Sequence, residues 1–181
     1  MKEVYRQLSH MFFGLLIALF IYFADKTLST AIMGLVVFVS VIISDAISKG
    51  IKIPLFSYII KRLEREVNVP GKGTIVFFIS TLFCLLFFEK SDVFLGILVL
   101  ALLDSFSTII GIKFGRTKIY KEKSLEGTIA GIIASFIALV YFTGPVTALI
   151  ASTGAGIAEL ISPVDDNLVI PVVVCIILSI I

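Results

Sequence analysis

Acidic side chains recur where this sequence is otherwise apolar, and they are the first residues that suggest chemistry. Asp104 stands inside a long apolar stretch, Glu159 lies near the end of another, and the turn SPVDDN (162–167) borders a third. Asp104 precedes Lys113 by about nine residues, which is roughly 14 Å along a helix. If that stretch spans a membrane, burying the carboxylate costs about 3 kcal/mol, so we expect Asp104 to face a polar cavity or a partner.

Glycine and positive charge meet at the start of a different apolar stretch. The segment PGKGT (70–74) places Lys72 between Gly71 and Gly73. Backbone N–H groups can approach an anion there, and the N-terminus of the following helix favours negative charge. The GxxxxGK[ST] pattern of a P-loop is absent, and an ordinary turn into a membrane helix could have the same sequence.

A second basic segment, RTKIYKEKSLEG (116–127), precedes another apolar stretch. Its Arg116 and Lys123 could hold phosphate groups. Ser124 fits an N-cap, and Glu126 falls in the first helical turn, where the helix dipole favours an acid. Capping alone could therefore explain both Ser124 and Glu126.

Acids and bases at one membrane boundary admit two interpretations. They can be structural ion pairs. Alternatively, the acidic and the basic side chains can both take part in binding and catalysis. Carboxylate and Asn oxygens suit Mg²⁺, whereas lysines, arginine and glycine-loop amides suit the phosphates of a nucleotide. Phosphoryl transfer needs this combination, because its catalysis is mostly positioning and charge neutralisation.

The composition indicates which elements position these residues. The chain has 181 residues, is 59% hydrophobic and contains 16 Phe, with a mean hydropathy of +1.13, so its apolar side chains exceed what a soluble interior can hold. Cys84 and Cys175 lack CxxC spacing and are interpreted as small hydrophobic residues. The sequence predicts a single all-α transmembrane domain over 1–181, with about seven spans of the length a bilayer requires. The predicted spans are 7–24, 28–48, 72–88, 93–113, 125–142, 144–161 and 167–181.

The charge distribution predicts the orientation of these spans. All lysines and arginines except Lys26 and Lys90 fall on one predicted side. By the positive-inside rule this side, with the N-terminus, is cytoplasmic. The connection 49–71 reads as a short amphipathic helix at the interface, either a plain surface helix or part of a substrate site. A nucleic-acid partner is not implied, because topology and anionic headgroups already account for the basic loops.

One face of the fourth span could serve as a packing surface or as the wall of a binding site. Small and polar residues follow one another on it at helical spacing: Asp104, Thr108, Gly111 and Gly115. The GxxxG pairs at 111–115 and 127–131 allow helices to approach closely. For Gly131, packing alone is the favoured interpretation.

Four segments follow one another along the chain: PGKGT at 70–74, DSFSTIIGIKFGRTKI at 104–119, KSLEGTIAG at 123–131, and Glu159 followed by DNLVIP at 166–171. In this order they resemble the CTP-dependent lipid kinases of the dolichol kinase, phytol kinase and yeast-type diacylglycerol kinase group. The Arg6-xxx-His10 opening is similar to that group's basic-plus-His start. The resemblance implies an integral membrane kinase, in a prokaryotic plasma membrane or an ER-type membrane, that moves the terminal phosphate of CTP to a lipid alcohol with Mg²⁺ on the cytoplasmic side.

Roles can be assigned by position within this expected site. Asp104, Glu159 and Asp166 are expected to hold Mg²⁺ or orient the lipid hydroxyl, one of them acting as base. Arg6 and His10 are expected on the lipid-headgroup side. The expected nucleotide-binding residues are Gly71, Lys72, Gly73, Thr108, Gly111, Arg116, Lys123, Ser124, Glu126 and Asn167.

The acceptor and the reaction type leave alternatives open. A polyprenol such as dolichol is the favoured acceptor, with phytol-like alcohols, diacylglycerol and archaeol-like lipids as rivals. The kinase group shares a distant likeness with cytidylyltransferases that make CDP-lipids, so attack at the α-phosphorus is a second possibility. A transporter that uses the buried acids as an ion relay is a third.

Overall fold

The computed structural model of this protein describes residues 2–54, 69–120 and 123–181. Over these residues the chain forms seven α-helices and one small β-hairpin, which confirms the expected all-helical fold. The helices are α1 (Lys2–Phe23), α2 (Lys26–Ser48), α3 (Lys72–Phe87), α4 (Lys90–Phe114), α5 (Leu125–Thr143), α6 (Pro145–Ile161) and α7 (Asp166–Ile180). The strands are β1 (Lys118–Tyr120) and β2 (Lys123–Ser124).

Helix α4 lies at the centre of the bundle. It packs against α1, α5 and α7, while α6 packs on α5 and α7, and α3 joins α7 to α2. Its residues Ile97, Leu100 and Leu103 are completely buried. Both cysteines are also fully buried in this core, which agrees with their interpretation as small hydrophobic residues. The acid-bearing helix is therefore the one most enclosed by the rest of the chain.

Glycines set the short distance between α4 and α5. A Cβ atom added to Gly127 would lie 2.4 Å from the carbonyl oxygen of Ser107, and one added to Gly131 would lie 2.8 Å from that of Leu103. Distances below 3.0 Å to backbone atoms require the helices to separate. The second GxxxG pair is thus a contact surface, and the expected packing role of Gly131 is confirmed.

Side chains mark where the helices begin. Ser124 accepts a hydrogen bond from the Gly127 N–H at 3.2 Å, so the predicted N-cap of α5 is confirmed. Asp165 caps α7 by accepting from the Asn167 N–H at 3.1 Å. Asp25 caps α2 at the opposite end of the bundle. These caps fix the first turns of α5 and α7 at the same end of the molecule.

The basic loop before α5 contains a hairpin that the sequence pattern did not predict. Strands β1 and β2 pair antiparallel, with Lys118 opposite Ser124. The Glu126 carboxylate accepts hydrogen bonds from the N–H groups of Arg116 and Thr117 at 3.1–3.2 Å, which folds the loop back onto the start of α5. The amphipathic helix predicted within 49–71 falls largely on residues 55–68, outside the described residues.

Several helices have the dimensions of membrane spans. Among the described residues, four are long and apolar enough to cross a bilayer: Glu3–Phe23, Lys26–Ser48, Lys90–Phe114 and Leu125–Thr143. Three shorter apolar helices accompany them: Lys72–Phe87, Pro145–Ile161 and Asp166–Ile180. Their outer surfaces carry exposed large apolar side chains, such as Phe12, Phe38 and Ile133. An apolar exterior on helices of this length fits a membrane protein.

Candidate functional site

A polar cavity of about 620 Å³ lies at the end of the bundle where α4 and α6 end and where α3, α5 and α7 begin. The structure brings eleven of the predicted site residues to its wall. These are Arg6, Lys72, Gly73, Asp104, Thr108, Gly111, Lys123, Ser124, Glu159, Asp166 and Asn167. Residues that are up to about 160 positions apart in the sequence therefore line one space.

Lys123 joins two of the predicted acids. Its Nζ donates to Asp166 Oδ1 at 2.7 Å and lies 3.6 Å from Glu159 Oε1. It also contacts the backbone carbonyl of Glu159. Strand β2, which carries Lys123, is thereby tied to the end of α6 and the start of α7. The single ammonium group offsets one of the two negative charges of these carboxylates in a largely enclosed site.

Glu159 is the most deeply buried of these acids, with 3% of the residue exposed. Its Oε2 accepts a hydrogen bond from Thr128 Oγ1 at 3.1 Å, and its Oε1 accepts a longer one from Ser107 Oγ at 3.4 Å. Lys123 supplies the opposite charge. Hydrogen bonds and an ion pair together make an ionised carboxylate tolerable at such a depth. Glu159 therefore serves as an anchor for Lys123.

Asp104 faces helix α1. Its Oδ2 lies 3.6 Å from His10 Nε2. With the amide of Gln7 oriented so that each polar atom meets a complementary partner, the amide nitrogen donates to the same oxygen at 3.2 Å. Asp104 is thus surrounded by polar groups, as expected for an acid inside an apolar helix.

The glycine segment forms a turn beside α7. Gly71 adopts φ 78°, a left-handed conformation that favours glycine, and it occupies the N-cap position of α3. Ser44 of α2 donates to the Pro70 carbonyl at 2.6 Å and fixes the turn. Asn167 Nδ2 donates to the Gly73 carbonyl at 3.5 Å. The start of α3 is thereby held next to the start of α7.

Four predicted site residues do not line the cavity: Gly71, Arg116, Glu126 and His10. Glu126 instead accepts hydrogen bonds from the Arg116 and Thr117 N–H groups, which is a structural role at the first turn of α5. His10 sits behind Asp104, with its ring edge-on to Phe77 at a centroid distance of 5.9 Å.

Seven polar residues at the cavity were not among the predicted site residues: Glu3, Gln7, Ser107, Lys118, Thr128, Ser162 and Asp165. Ser107 and Thr128 are the hydroxyl groups that hold Glu159. Ser107 follows Asp104 by one helical turn, so its position on the same face was a usable signal. Gln7 lies between Arg6 and His10, just before the first helix becomes apolar. A polar residue at that position was the available signal for a place at the site.

The chemistry of the donors fits Mg²⁺ better than their arrangement does. Asn167 Oδ1 is a buried oxygen with no hydrogen-bond partner among the described residues, and it lies next to the Asp166 carboxylate in the chain. Such oxygens are the ligands that Mg²⁺ prefers. Within the described ranges, however, no three His, Cys, Asp or Glu side chains form a group that could hold a metal ion. The Lys123 ammonium lies between Glu159 and Asp166 instead.

The fold and cavity define a class of protein: a helical bundle with membrane-length apolar helices and a charged cavity at one end. No family model and no solved structure matches the chain. It is 37% identical over 187 residues to the uncharacterized protein MJ1137 of Methanocaldococcus jannaschii, in an alignment that covers 99% of this chain and 94% of that one. The chain belongs to the family of that archaeal protein.

Proposed function

We propose that this protein is an integral membrane kinase that transfers the terminal phosphate of CTP to a lipid alcohol, with a polyprenol such as dolichol as the favoured acceptor. The observation that carries the proposal is the cavity, where Lys72, Lys123, Asp104 and Asp166 converge at one end of the bundle. Bases for a triphosphate and acids for a metal ion and a proton are both required for phosphoryl transfer. The choice of CTP rests on the sequence resemblance described above.

The phosphate-binding part of the proposal rests on helix starts as well as on lysines. Helices α3, α5 and α7 begin at the cavity, and their N-terminal N–H groups carry partial positive charge. Lys72 begins α3, and Ser124 precedes α5. A triphosphate in the cavity would compete with Asp166 and Glu159 for the Lys123 ammonium. Lys123 would then offset part of the negative charge in both states: that of Asp166 and Glu159 in the empty site, and that of the triphosphate in the occupied site.

Asp104 is the proposed proton acceptor. Glu159 is already held by Thr128, Ser107 and Lys123. The lipid hydroxyl would give its proton to Asp104 while its oxygen bonds to the terminal phosphorus. The bond from that phosphorus to the bridging oxygen would break, and CDP would leave. If a triphosphate drew the Lys123 ammonium away from Asp166, Asp166 and Asn167 would be the residues to hold Mg²⁺, and the ion would supply charge neutralisation for the phosphates.

The helix directions support a seven-span topology with a cytoplasmic N-terminus. Helices α1, α3, α5 and α7 begin at the cavity end, and α4 and α6 end there. Lys26 and Lys90 lie at the opposite end, where Lys90 Nζ donates to the carbonyls of Tyr22 and Ala24. The other basic residues of the described ranges would then face the cytoplasm together with the cavity, as the positive-inside rule requires.

The short helices support lateral entry of the lipid. Helices α3, α6 and α7 contain 16, 17 and 15 residues, or about 23–26 Å, less than the ~30 Å hydrocarbon core. The cavity that they border would therefore lie near headgroup depth. Ile112 and Val164 line it and are more than half exposed, which gives the wall an apolar part for a lipid chain.

The decisive experiment supplies purified protein with Mg²⁺ and CTP labelled separately at the α and γ positions. The acceptor panel is a polyprenol, phytol, diacylglycerol and an archaeol-like lipid. Label from the γ position in the lipid is expected. Label from the α position with a lipid phosphate would instead identify a cytidylyltransferase, and ion flux without any nucleotide requirement would identify a transporter.

A matched pair of variants links this activity to the cavity. Asp104→Asn should lose turnover while keeping normal membrane insertion and thermal stability. Asp45→Asn is the control, because Asp45 forms an exposed ion pair with Lys49 and does not line the cavity. Wild-type turnover in Asp104→Asn would remove that residue from the reaction.

A further inference from the structure

Gln7 is buried in a part of α1 whose neighbouring side chains are exposed. Only 2% of its surface is accessible, whereas Tyr5 is 67% and Leu8 43% exposed. A buried amide must find partners for two N–H groups and a carbonyl oxygen. The surroundings of Gln7 therefore reveal what its side chain is placed to do.

The partners of Gln7 connect the two sides of the cavity. With the amide turned so that each of its atoms meets a complementary group, its nitrogen donates to Asp104 Oδ2 at 3.2 Å, and its oxygen accepts from Thr108 Oγ1 at 3.1 Å and from Arg6 Nη2 at 3.3 Å. His10 Nε2 lies farther from the same carboxylate oxygen, at 3.6 Å. Gln7 is thus the closer of the two α1 groups to Asp104.

The backbone under Gln7 is fixed against α4. Ser105 Oγ, which is fully buried, donates to the Gln7 carbonyl at 3.1 Å. Two turns farther along α1, a Cβ added to Gly14 would lie 2.8 Å from Ala101 Cβ, so the helices are in close contact there as well. Because the backbone cannot move away, the amide is held at the carboxylate.

We propose that Gln7 is a positioning residue for Asp104, an inference that rests on the proposed lipid kinase activity. Its N–H group holds Oδ2, while Oδ1 has no hydrogen-bond or ion-pair partner among the described residues. Oδ1 is then the oxygen that receives the proton of the lipid hydroxyl. Gln7 also binds Thr108 and Arg6. The proposed proton acceptor Asp104 is therefore linked through Gln7 to one residue of α4 and one of α1.

A purely structural role for Gln7 predicts different behaviour. A buried amide can simply hold two membrane helices together, with an effect on stability alone. A positioning residue affects the chemical step, because a misplaced acid lowers kcat while nucleotide binding is unchanged. The separation of kcat from KM and from thermal stability therefore distinguishes the two roles.

The test replaces Gln7 by Met, which keeps the length of the side chain and removes its N–H groups. We expect Gln7→Met to lower kcat about tenfold or more, with KM for CTP within about twofold of wild type. Gln7→Asn, which keeps an amide on a shorter side chain, should recover part of the loss. Ser135→Ala is the matched control, since it removes a fully buried hydrogen bond within α5 and touches neither Gln7 nor Asp104. A kcat for Gln7→Met within twofold of wild type would overturn the inference.

A second measurement does not depend on turnover. The infrared band of the Asp104 carboxylate, identified by its loss in Asp104→Asn, responds to the hydrogen bonds on its oxygens. The band should shift in Gln7→Met and keep its position in the control Ser135→Ala. An unchanged band in Gln7→Met would contradict the positioning role. Absence of γ-label transfer by wild-type protein, with the band shift present, would contradict the proposed function alone.

Discussion

Lys123 Nζ lies 2.7 Å from Asp166 Oδ1, so residues 43 positions apart in the chain form an ion pair inside the cavity. About a fifth of each side chain is exposed. The pair joins β2 to the first turn of α7, and the contacts of Lys123 with Glu159 add the end of α6. One cation thereby determines how three elements meet.

Replacing Lys123 by Met should destabilise the protein, because Glu159 would stay buried without its opposite charge. Breaking such a pair costs about 3 kcal/mol. Thermal unfolding in detergent measures the effect. Lys49→Met removes the exposed Lys49–Asp45 pair and should change stability by no more than about 0.5 kcal/mol. Equal effects of the two substitutions would show that Lys123 is not a structural cation.

Gly127→Ala should separate α4 from α5. The added Cβ would lie 2.4 Å from the Ser107 carbonyl oxygen, and overpacking of this kind costs about 1–3 kcal/mol. The control is Gly34→Ala on α2, where nothing lies within 4 Å and alanine should favour the helix by up to about 1 kcal/mol. Opposite signs of the two changes in unfolding temperature are expected. A neutral Gly127→Ala would mean that the helices can move apart freely.

Part of this site could be expected from the sequence for a simple physical reason. An acid such as Asp104 or Glu159 in an apolar stretch needs polar surroundings, and turns at the same end of several spans supply them. The all-helical fold followed equally directly from the length and composition of the apolar stretches. The predicted cap at Ser124 required only the local rule for helix starts.

The other features of the site depend on tertiary contacts, which cannot be predicted from local sequence patterns. Gln7 reaches Asp104 because α1 rests closely on α4 at Gly14, and the choice of that face is made by packing. The segment before β1 is held to the start of α5 because Glu126 accepts hydrogen bonds from the Arg116 and Thr117 N–H groups. Lys123 is one of several lysines in that loop, and its distinction is the position of its Nζ between Glu159 and Asp166.

Binding of CTP with Mg²⁺ should raise the unfolding temperature, since a ligand that binds the folded state stabilises it. Chelation of Mg²⁺ with EDTA should remove most of this increase. Asn167→Leu should reduce it too, because Asn167 Oδ1 is the buried oxygen without a partner among the described residues. Asp45→Asn, outside the cavity, should respond to CTP as wild type does. An EDTA-insensitive increase would contradict the Mg²⁺ requirement.

The topology predicts which turns an impermeant thiol reagent can reach from outside an intact cell. In a background without Cys84 and Cys175, Thr27→Cys at the exposed start of α2 should react from outside. Pro163→Cys in the exposed turn between α6 and α7 should react only after the membrane is permeabilised, because that turn borders the cavity, which the proposed orientation places on the cytoplasmic side. Reaction of Pro163→Cys in intact cells would place the cavity outside, away from cytoplasmic CTP, and would contradict both the orientation and the kinase proposal.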